Sequence, residues 1–183
     1  MVNADSGYGT GQLPDKEGQM YHMQEDDLYM IPTAEVPLTN IFRDVVLTES
    51  DLPQKLCGYT PCFRREAGSY GKDVRGLNRL HQFDKVEMFS FCNPEKSEEE
   101  HKFILSIEEE LLQALEIPYR VVDVCAGDLG ASAAKKYDIE AWIPSQNTYR
   151  EVTSCSNTTS FQARRLNIRA KSDGETSVLH TLN

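Results

Sequence analysis

Four side chains in two neighbouring segments could together bind a nucleotide and a cationic substrate. Arg64 and Glu66 point the same way if their segment is a strand, because alternate residues of a strand share a face, and Phe83 and Glu87 share a face for the same reason. A planar guanidinium binds phosphate oxygens, and a phenylalanine ring can stack on a base. Spacing alone leaves a second interpretation open, in which these residues form a surface salt-bridge ladder beside a core phenylalanine.

The elements that must position these residues are predicted to form an α+β domain with mostly antiparallel strands. The residues at 5–14 are rich in glycine and predict an irregular segment. The predicted elements are a strand at 28–31, a helix at 33–47, strands at 56–66 and 83–92, a helix at 97–117, a strand at 119–125, a hairpin of 137–143 and 147–154, a helix at 161–170 and a strand at 177–182. Ser97 and Glu100 predict a capping box at the start of the 97–117 helix. The long polar loop between 66 and 83 is of a kind that often carries function.

Composition excludes several classes of protein. The net charge of −10 argues against a general nucleic-acid binder, because such binding depends largely on Lys and Arg that neutralise phosphates. The five cysteines are an odd number with no Cys-x-x-Cys pair, which argues against a zinc cluster or a disulfide framework. We see neither a signal peptide nor an apolar run long enough to span a bilayer, so we expect a cytoplasmic protein with no membrane partner.

A collinear set of motifs runs through the whole chain. The motifs are Y-G-T-G-Q-L-P at 8–14, I-P-T-A-E-V-P-L-T-N at 31–40, F-R-R-E-A-G-S at 63–69, R-G-L at 75–77, H-Q-F-D-K-V-E-M at 81–88, D-I-E at 138–140, W-I-P at 142–144, Y-R-E-V-T-S-C-S-N at 149–157, F-Q-A-R-R at 161–165 and H-T-L-N at 180–183. The segments at 63–69, 75–77 and 81–88 resemble motif 2 of the class II aminoacyl-tRNA synthetases. The full set resembles, more narrowly, the seryl-tRNA synthetases.

This resemblance implies that residues 1–183 are part of a class II catalytic domain, an antiparallel sheet flanked by helices and incomplete at both ends. The implied reaction is ATP-dependent activation of serine to seryl-adenylate, followed by transfer to tRNA(Ser). The N-terminal helical arm that binds tRNA, most of motif 1 and all of motif 3 are not in the sequence. We therefore expect the isolated chain to be poorly stable and catalytically impaired, and the longer protein to be a homodimer.

The resemblance also assigns roles to individual residues. Arg64 is implied as the catalytic residue, which bridges the α-phosphate of ATP and the carboxylate of serine. The residues implied to bind serine are Thr33, Ala34, Glu35, Arg64, Glu87 and Asn157. The residues implied to bind ATP are Arg64, Arg65, Glu66, Phe83, Glu151, Val152, Thr153 and Ser154, and the implied Mg²⁺ ligands are Glu151 and Ser154. Because residues 151 and 154 would lie on opposite faces of a regular strand, this metal site requires a bulge or a strand end.

Two other functions fit the same motifs. One is a related ligase that makes the same kind of adenylate but delivers the amino acid to a carrier protein. The other is a truncated, non-catalytic paralogue that serves as a binding module. Pyrophosphate exchange with different amino acids, together with a tRNA charging test, would distinguish these functions.

Overall fold

The computed structural model describes residues 1–66 and 79–183, and the loop motifs predicted at 67–69 and 75–77 lie outside the described residues. Within the described part of the chain there are four α-helices and twelve β-strands. The helices are α1 (Ala4–Thr10), α2 (Glu35–Asn40), α3 (Ser97–Ala114) and α4 (Phe161–Arg165). The strands are β1 (Val2–Asn3), β2 (His22–Met23), β3 (Leu28–Tyr29), β4 (Val46–Thr48), β5 (Gln54–Phe63), β6 (Gln82–Cys92), β7 (Tyr119–Asp123), β8 (Lys135–Ile143), β9 (Thr148–Asn157), β10 (Arg169–Ser172), β11 (Glu175–Val178) and β12 (His180–Leu182).

A six-stranded antiparallel sheet forms the centre of the fold, in the order β5-β6-β12-β9-β8-β7. Two hairpins, β5–β6 and β8–β9, supply its long strands, and the short strand β12 joins them. A second sheet has the order β11-β10-β4, with β4 and β10 parallel, and a third has the order β1-β3-β2. The α+β prediction with mostly antiparallel strands is confirmed.

The sheet buries apolar side chains on both faces. On one face, Phe89 and Phe91 of β6 pack in a core that includes Leu38 of α2 and Leu166, which follows α4. On the other face, Ile104 of α3 packs in a smaller cluster. Such burial is the main source of stability in a domain of this size. The larger core thus fixes α2 and α4 against the strand that carries Phe83 and Glu87.

The first part of the glycine-rich N-terminal segment is helical, so the prediction of an irregular segment at 5–14 is wrong for residues 5–10. The Asn3 side chain accepts a hydrogen bond from the Ser6 N–H at 3.0 Å and caps α1, and Gly11 ends the helix in the left-handed conformation with φ of 84°. A Cβ atom on Gly9 would lie 2.2 Å from Leu166. Glycine therefore serves here to let α1 pack closely on the residues after α4.

The helix predicted at 33–47 is wrong beyond residue 40. After α2 the chain turns through Asp44, whose φ is 60°, and residues 46–48 form β4, which pairs in parallel with β10. The helix predicted at 161–170 likewise ends at Arg165, and the strand predicted at 177–182 divides between two sheets. In each case pairing with a distant strand determines the boundary, and local spacing does not reveal that pairing.

The capping box predicted at the start of α3 is also wrong. Ser97 Oγ accepts a hydrogen bond from Asn157 Nδ2, and Glu100 Oε2 accepts one from Ser90 Oγ at 3.0 Å. Both side chains therefore bond to neighbouring strands instead of to the helix backbone. In residues 1–66 and 79–183, none of the helices has the length and apolar character needed to cross a membrane.

Candidate active site

One open cleft, of about 1280 Å³, collects many of the residues that the sequence singled out. Its walls come from α1 and the loop that follows it, the start of α2, the adjoining ends of β5 and β6, and parts of β9 and α4. The predicted site residues that line the cleft are Thr33, Glu35, Arg64, Glu66, Glu87 and Ser154.

Thr33, Glu35, Lys85 and Glu87 form what we call the carboxylate pocket. Thr33 lies just before α2, where its Oγ1 accepts a hydrogen bond from the Glu35 N–H at 3.3 Å and donates one to Glu87 Oε2 at 3.0 Å. Lys85 Nζ donates to the same threonine oxygen at 3.0 Å and forms an ion pair with Glu87. The ammonium of Lys85 pairs with Glu87 and acts on Glu35 only through its charge, so the pocket can accept a second cation.

Glu35 is a buried acid of the cleft with a raised pKa. The residue is 7% exposed, and desolvation, followed by the nearby charge of Glu87, raises its pKa from 4.5 to about 7. A hydrogen bond from Gln162 Nε2 at 2.6 Å and the charge of Lys85 act in the opposite direction. A bound ammonium group would favour the ionised carboxylate further, so this pocket suits a ligand with a free amine.

Arg64 is held at the edge of the cleft by its backbone and its side chain. Its N–H donates to the His81 carbonyl at 3.0 Å, and its Nε donates to the Pro32 carbonyl at 3.3 Å. The guanidinium carbon lies 5.3 Å from the centre of the Phe83 ring, within the range of a cation–π contact. The turn before α2 and the first residues of β6 thus orient a guanidinium toward the same cleft as the carboxylate pocket.

Glu66 and Arg79, which flank residues 67–78 in the sequence, form an ion pair with each other. Arg79 Nη1 lies 2.6 Å from Glu66 Oε2, and the Glu66 side chain is only 8% exposed. Glu66 has a φ of 51°, a conformation that is uncommon for residues other than glycine. The acid that the resemblance places near adenine is therefore fixed at the rim of the cleft by an ion pair.

The bulge required between Glu151 and Ser154 is present in β9. Thr153 pairs with Ile139 and Glu151 pairs with Glu140, so Val152 is an extra residue. Ser154 pairs with Asp138, and Asp138 and Glu140 lie on one face of β8 because they alternate. The bulge therefore brings Glu151 and Ser154 to the same side of the sheet, which we call the bulge face.

The bulge face offers oxygen ligands without a complete protein cage. The Glu151 side chain is 54% exposed, and Lys136 Nζ lies 3.8 Å from its carboxylate. The described residues contain no group of three or more His, Cys, Asp or Glu side chains that could hold a metal ion. One carboxylate and one hydroxyl nevertheless suit Mg²⁺, which often binds through one or two carboxylates together with substrate phosphates.

Two predicted site residues form hydrogen bonds with other protein groups away from the cleft. Thr153 Oγ1 donates to Glu108 Oε1 of α3 at 2.6 Å, so this side chain points away from the cleft. Asn157 donates to Ser97 at the start of α3, and its Oδ1 accepts from the Thr159 N–H at 2.9 Å. The structure does not bring either side chain to the cleft.

Three further predicted residues present little side chain to the cleft. Ala34 is fully buried in the larger core. Arg65 is exposed, and its backbone N–H donates to the Gln19 carbonyl at 2.7 Å. Val152 is the bulge residue and is 51% exposed. The side chains of these residues are not among those that line the cleft.

The sequence matches the family model described as the tRNA synthetase class II core domain (G, H, P, S and T) over residues 19–183. The chain belongs to this family. This class II core is 58% identical to the serine–tRNA ligase of Hydrogenobaculum sp. over 184 residues, which cover all of the chain and 44% of that protein. It is also 58% identical to the serine–tRNA ligase of Synechocystis sp., of which it covers 43%.

Solved structures agree with these relatives. The class II core superposes on the seryl-tRNA synthetase from Pyrococcus horikoshii complexed with ATP with a TM-score of 0.94 and 51% identity, covering 99% of this chain and 41% of that one. It superposes on the cytoplasmic serine–tRNA ligase from Naegleria fowleri in complex with AMP with a TM-score of 0.90 and 37% identity, covering 99% and 44%. The predicted class II fold is confirmed, and the chain spans less than half the length of these relatives.

The class II core also contains site residues that the sequence interpretation missed. Lys85 alternates with Phe83 and Glu87 on β6, so strand parity could have identified it. Asn183 Nδ2 donates to Glu87 Oε1 at 3.2 Å, and Asn183 lines the cleft. Gln162 bonds to Glu35 from 127 positions further along the chain, and no spacing in the sequence indicates that contact.

Proposed function

We propose that this chain is the catalytic core of a serine–tRNA ligase, which joins serine to ATP as seryl-adenylate and then transfers the seryl group to tRNA(Ser). One observation carries the proposal: the buried acids Glu35 and Glu87 lie in the same cleft as Arg64. An amino acid has an ammonium for the acids and a carboxylate for the guanidinium. The names of the relatives point to serine and tRNA.

In this proposal, the carboxylate pocket binds the ammonium of serine through charge-assisted hydrogen bonds to Glu35 and Glu87. The serine carboxylate then attacks the α-phosphorus of ATP. A bond forms between a carboxylate oxygen and phosphorus, and the bond from phosphorus to the pyrophosphate oxygen breaks, so pyrophosphate leaves with its electron pair. No proton has to move, and the rate depends on positioning and on neutralisation of charge.

Arg64 neutralises charge in this step, because it can contact both the serine carboxylate and the α-phosphate. We place adenine against Phe83, with Glu66 beside it. Arg65, Val152 and Thr153 contribute to ATP binding through their backbone in this proposal, as Ala34 does for serine. Asn157 supports the site through its bonds to α3 and to the chain after β9, and does not contact serine.

Glu151 and Ser154 would hold Mg²⁺ at the bulge face. The ion supplies positive charge that offsets the charge of the ATP phosphates. The bulge at Val152 supports this assignment because it places both side chains on one face.

We also propose that the longer protein containing this chain is a cytoplasmic homodimer with serine, ATP and tRNA(Ser) as its partners. The resemblance to the seryl-tRNA synthetases supports this proposal. Sedimentation of the full-length protein would test the dimer, and a mass of one chain at micromolar concentration would contradict it.

The test of the activity is serine-dependent exchange of pyrophosphate into ATP by the full-length protein. Robust exchange with serine, and far less with alanine or threonine, would support the proposal, whereas no exchange with serine would contradict it. A charging assay with tRNA(Ser) then separates the ligase from the carrier-protein enzyme, because the latter would make the adenylate without charging tRNA.

A further inference from the structure

A series of buried hydrogen bonds leads to the carboxylate pocket from the protein interior, behind the residues that line the cleft. Gln162 of α4 is 0% exposed and does not line the cleft, yet its Nε2 donates to Glu35 Oε1 at 2.6 Å. The same nitrogen donates to the Thr10 carbonyl at 3.2 Å. Behind it, Thr181 Oγ1 donates to Gln162 Oε1 at 2.8 Å, and Thr158 Oγ1 lies 2.5 Å from Thr181 Oγ1.

The donors and acceptors that each group offers determine the direction of these hydrogen bonds. The Thr10 carbonyl and an ionised Glu35 carboxylate can only accept hydrogen bonds, so the Gln162 atom between them must be the amide nitrogen. Gln162 Oε1 then faces Thr181, whose hydroxyl must donate its single proton to it. Thr158 and Thr181 are held opposite each other by backbone bonds between 158 and 181 and between 181 and 159, each 3.0 Å long.

We infer that Gln162, oriented by Thr181, is a positioning residue for the substrate amine: it holds Glu35 as an acceptor that faces the carboxylate pocket. This inference rests on the proposed function, because it assigns Glu35 to the ammonium of serine. Gln162 acts through Glu35 and touches neither substrate. If the Thr181 hydroxyl is lost, the amide can rotate, and its oxygen would then repel the carboxylate.

The electrostatic surroundings of Glu35 show why an N–H donor matters at this position. Burial and Glu87 raise the pKa of Glu35, and Lys85 lowers it. Neutral side chains also reach this carboxylate from other elements, and they are Gln12, Gln162 and Asn183. Since the pKa of Glu35 is about 7, a lost donor moves the ionisation across the neutral range.

The experiment compares Thr181→Val with Thr181→Ser in the full-length protein. Valine matches threonine in shape but cannot donate, whereas serine keeps the hydroxyl. For Thr181→Val we expect about a tenfold higher KM for serine, an unchanged KM for ATP, and an acidic limb of kcat/KM for serine that moves up by about one pH unit. The direction is upward because a lost donor raises the pKa of Glu35, so the carboxylate ionises only at higher pH.

Thr158→Val is the matched control. It removes a neighbouring buried hydroxyl, but Thr181 can still donate to Gln162, so we expect normal serine KM even if the protein melts at a lower temperature. If Thr181→Val does not fold, Thr181→Ala, which adds no bulk, takes its place. Rescue by Thr181→Ser is part of the expected result.

The outcomes separate this inference from the proposed function. If the unsubstituted protein shows no serine-dependent exchange, both are overturned. If exchange is normal but Thr181→Val and Thr181→Ser have the same serine KM and pH profile, this inference alone is overturned. It is also overturned if Thr158→Val raises the serine KM as much as Thr181→Val does, because the effect would then reflect general loosening.

Discussion

The carboxylate pocket and the bulge face belong to the same candidate site, yet they differ in how much the protein itself completes them. In the pocket, Glu35 and Glu87 are 7% and 6% exposed, and both accept hydrogen bonds from neighbouring side chains. On the bulge face, the Glu151 side chain is 54% exposed, with Lys136 at 3.8 Å. The protein therefore preorganises the groups that would select an amine and leaves open those that would meet phosphates and an ion.

The guanidinium of Arg64, which lines the same cleft, should give the largest effect. We expect Arg64→Ala to lower kcat/KM for pyrophosphate exchange about a thousandfold, because it removes charge stabilisation from the transition state. Arg64→Lys should recover little of that loss, since an ammonium cannot bind in the two-pronged manner of arginine. Arg169→Ala, at an exposed position on β10, is the control, and an equal loss in that variant would contradict the role of Arg64.

Glu35→Gln should weaken serine binding in the carboxylate pocket and, at the same time, stabilise the fold. We expect a serine KM about a hundredfold higher, since a buried charge-assisted bond is lost. Because the folded pKa of Glu35 is about 7 against 4.5, the folded state binds extra protons between these values and loses stability as pH rises through them. The glutamine removes that loss, which is about 3 kcal/mol at pH 8.

Thermal unfolding at pH 5 and pH 8 measures the stability that Glu35→Gln gains. The variant should be the more stable protein at pH 8, and the difference should shrink at pH 5. Glu175→Gln, an exposed substitution on β11, should show no such gain. A variant with lower stability than the unsubstituted protein at pH 8 would show that Glu35 is ionised without cost in the fold.

A substitution on the bulge face should change how exchange depends on Mg²⁺ and should leave the stability of the fold unchanged. For Glu151→Gln we expect about a tenfold higher Mg²⁺ concentration at half-maximal exchange, because one of few protein ligands loses its charge. The melting temperature should stay the same, since the side chain is exposed. A Mg²⁺ titration together with a melt checks both, and an unchanged midpoint would remove Glu151 from the metal site.

Phe83→Leu should give the smallest effect. The leucine keeps apolar bulk but loses the flat ring, so we expect the KM for ATP to rise about fivefold, corresponding to a stacking contribution of about 1 kcal/mol. The serine KM should hardly change. If instead Phe83→Leu lowers kcat/KM for exchange about as much as Arg64→Ala does, the ring would serve chiefly to position the guanidinium, whose carbon lies 5.3 Å from the ring centre.

Sequence patterns located the long strands and α3, because their apolar periodicity survives in the fold. They failed at α1, where glycines that lower helix propensity serve close packing against Leu166. They also failed at the end of α2, where parallel pairing of β4 with β10 overrides helical spacing. Local propensity is a weak guide wherever a distant strand or a tight contact determines the backbone.

The candidate site likewise contains residues that the sequence indicates and contacts that depend on how distant elements pack. Thr33, Glu35 and Glu87 were identified through the family motifs, and parity correctly required a bulge near Val152. The contact between Gln162 and Glu35 could not be foreseen, because it depends on how α4 packs against α2. Asn157, which the motifs predict to bind serine, directs its amide toward α3, an orientation that the sequence does not indicate.

The bulge at Val152 makes the ion site depend on the register of β9. If Val152 were deleted, the strand could close into regular pairing with β8 and the sheet would survive. Glu151 would still pair with Glu140 and, now only two positions from Ser154, would stay on the same face of the sheet. If all residues were kept but the bulge were lost, Val152 would pair with Glu140 and Glu151 would turn to the face that α3 covers, so a slip of one residue could separate the ion ligands without changing either of them.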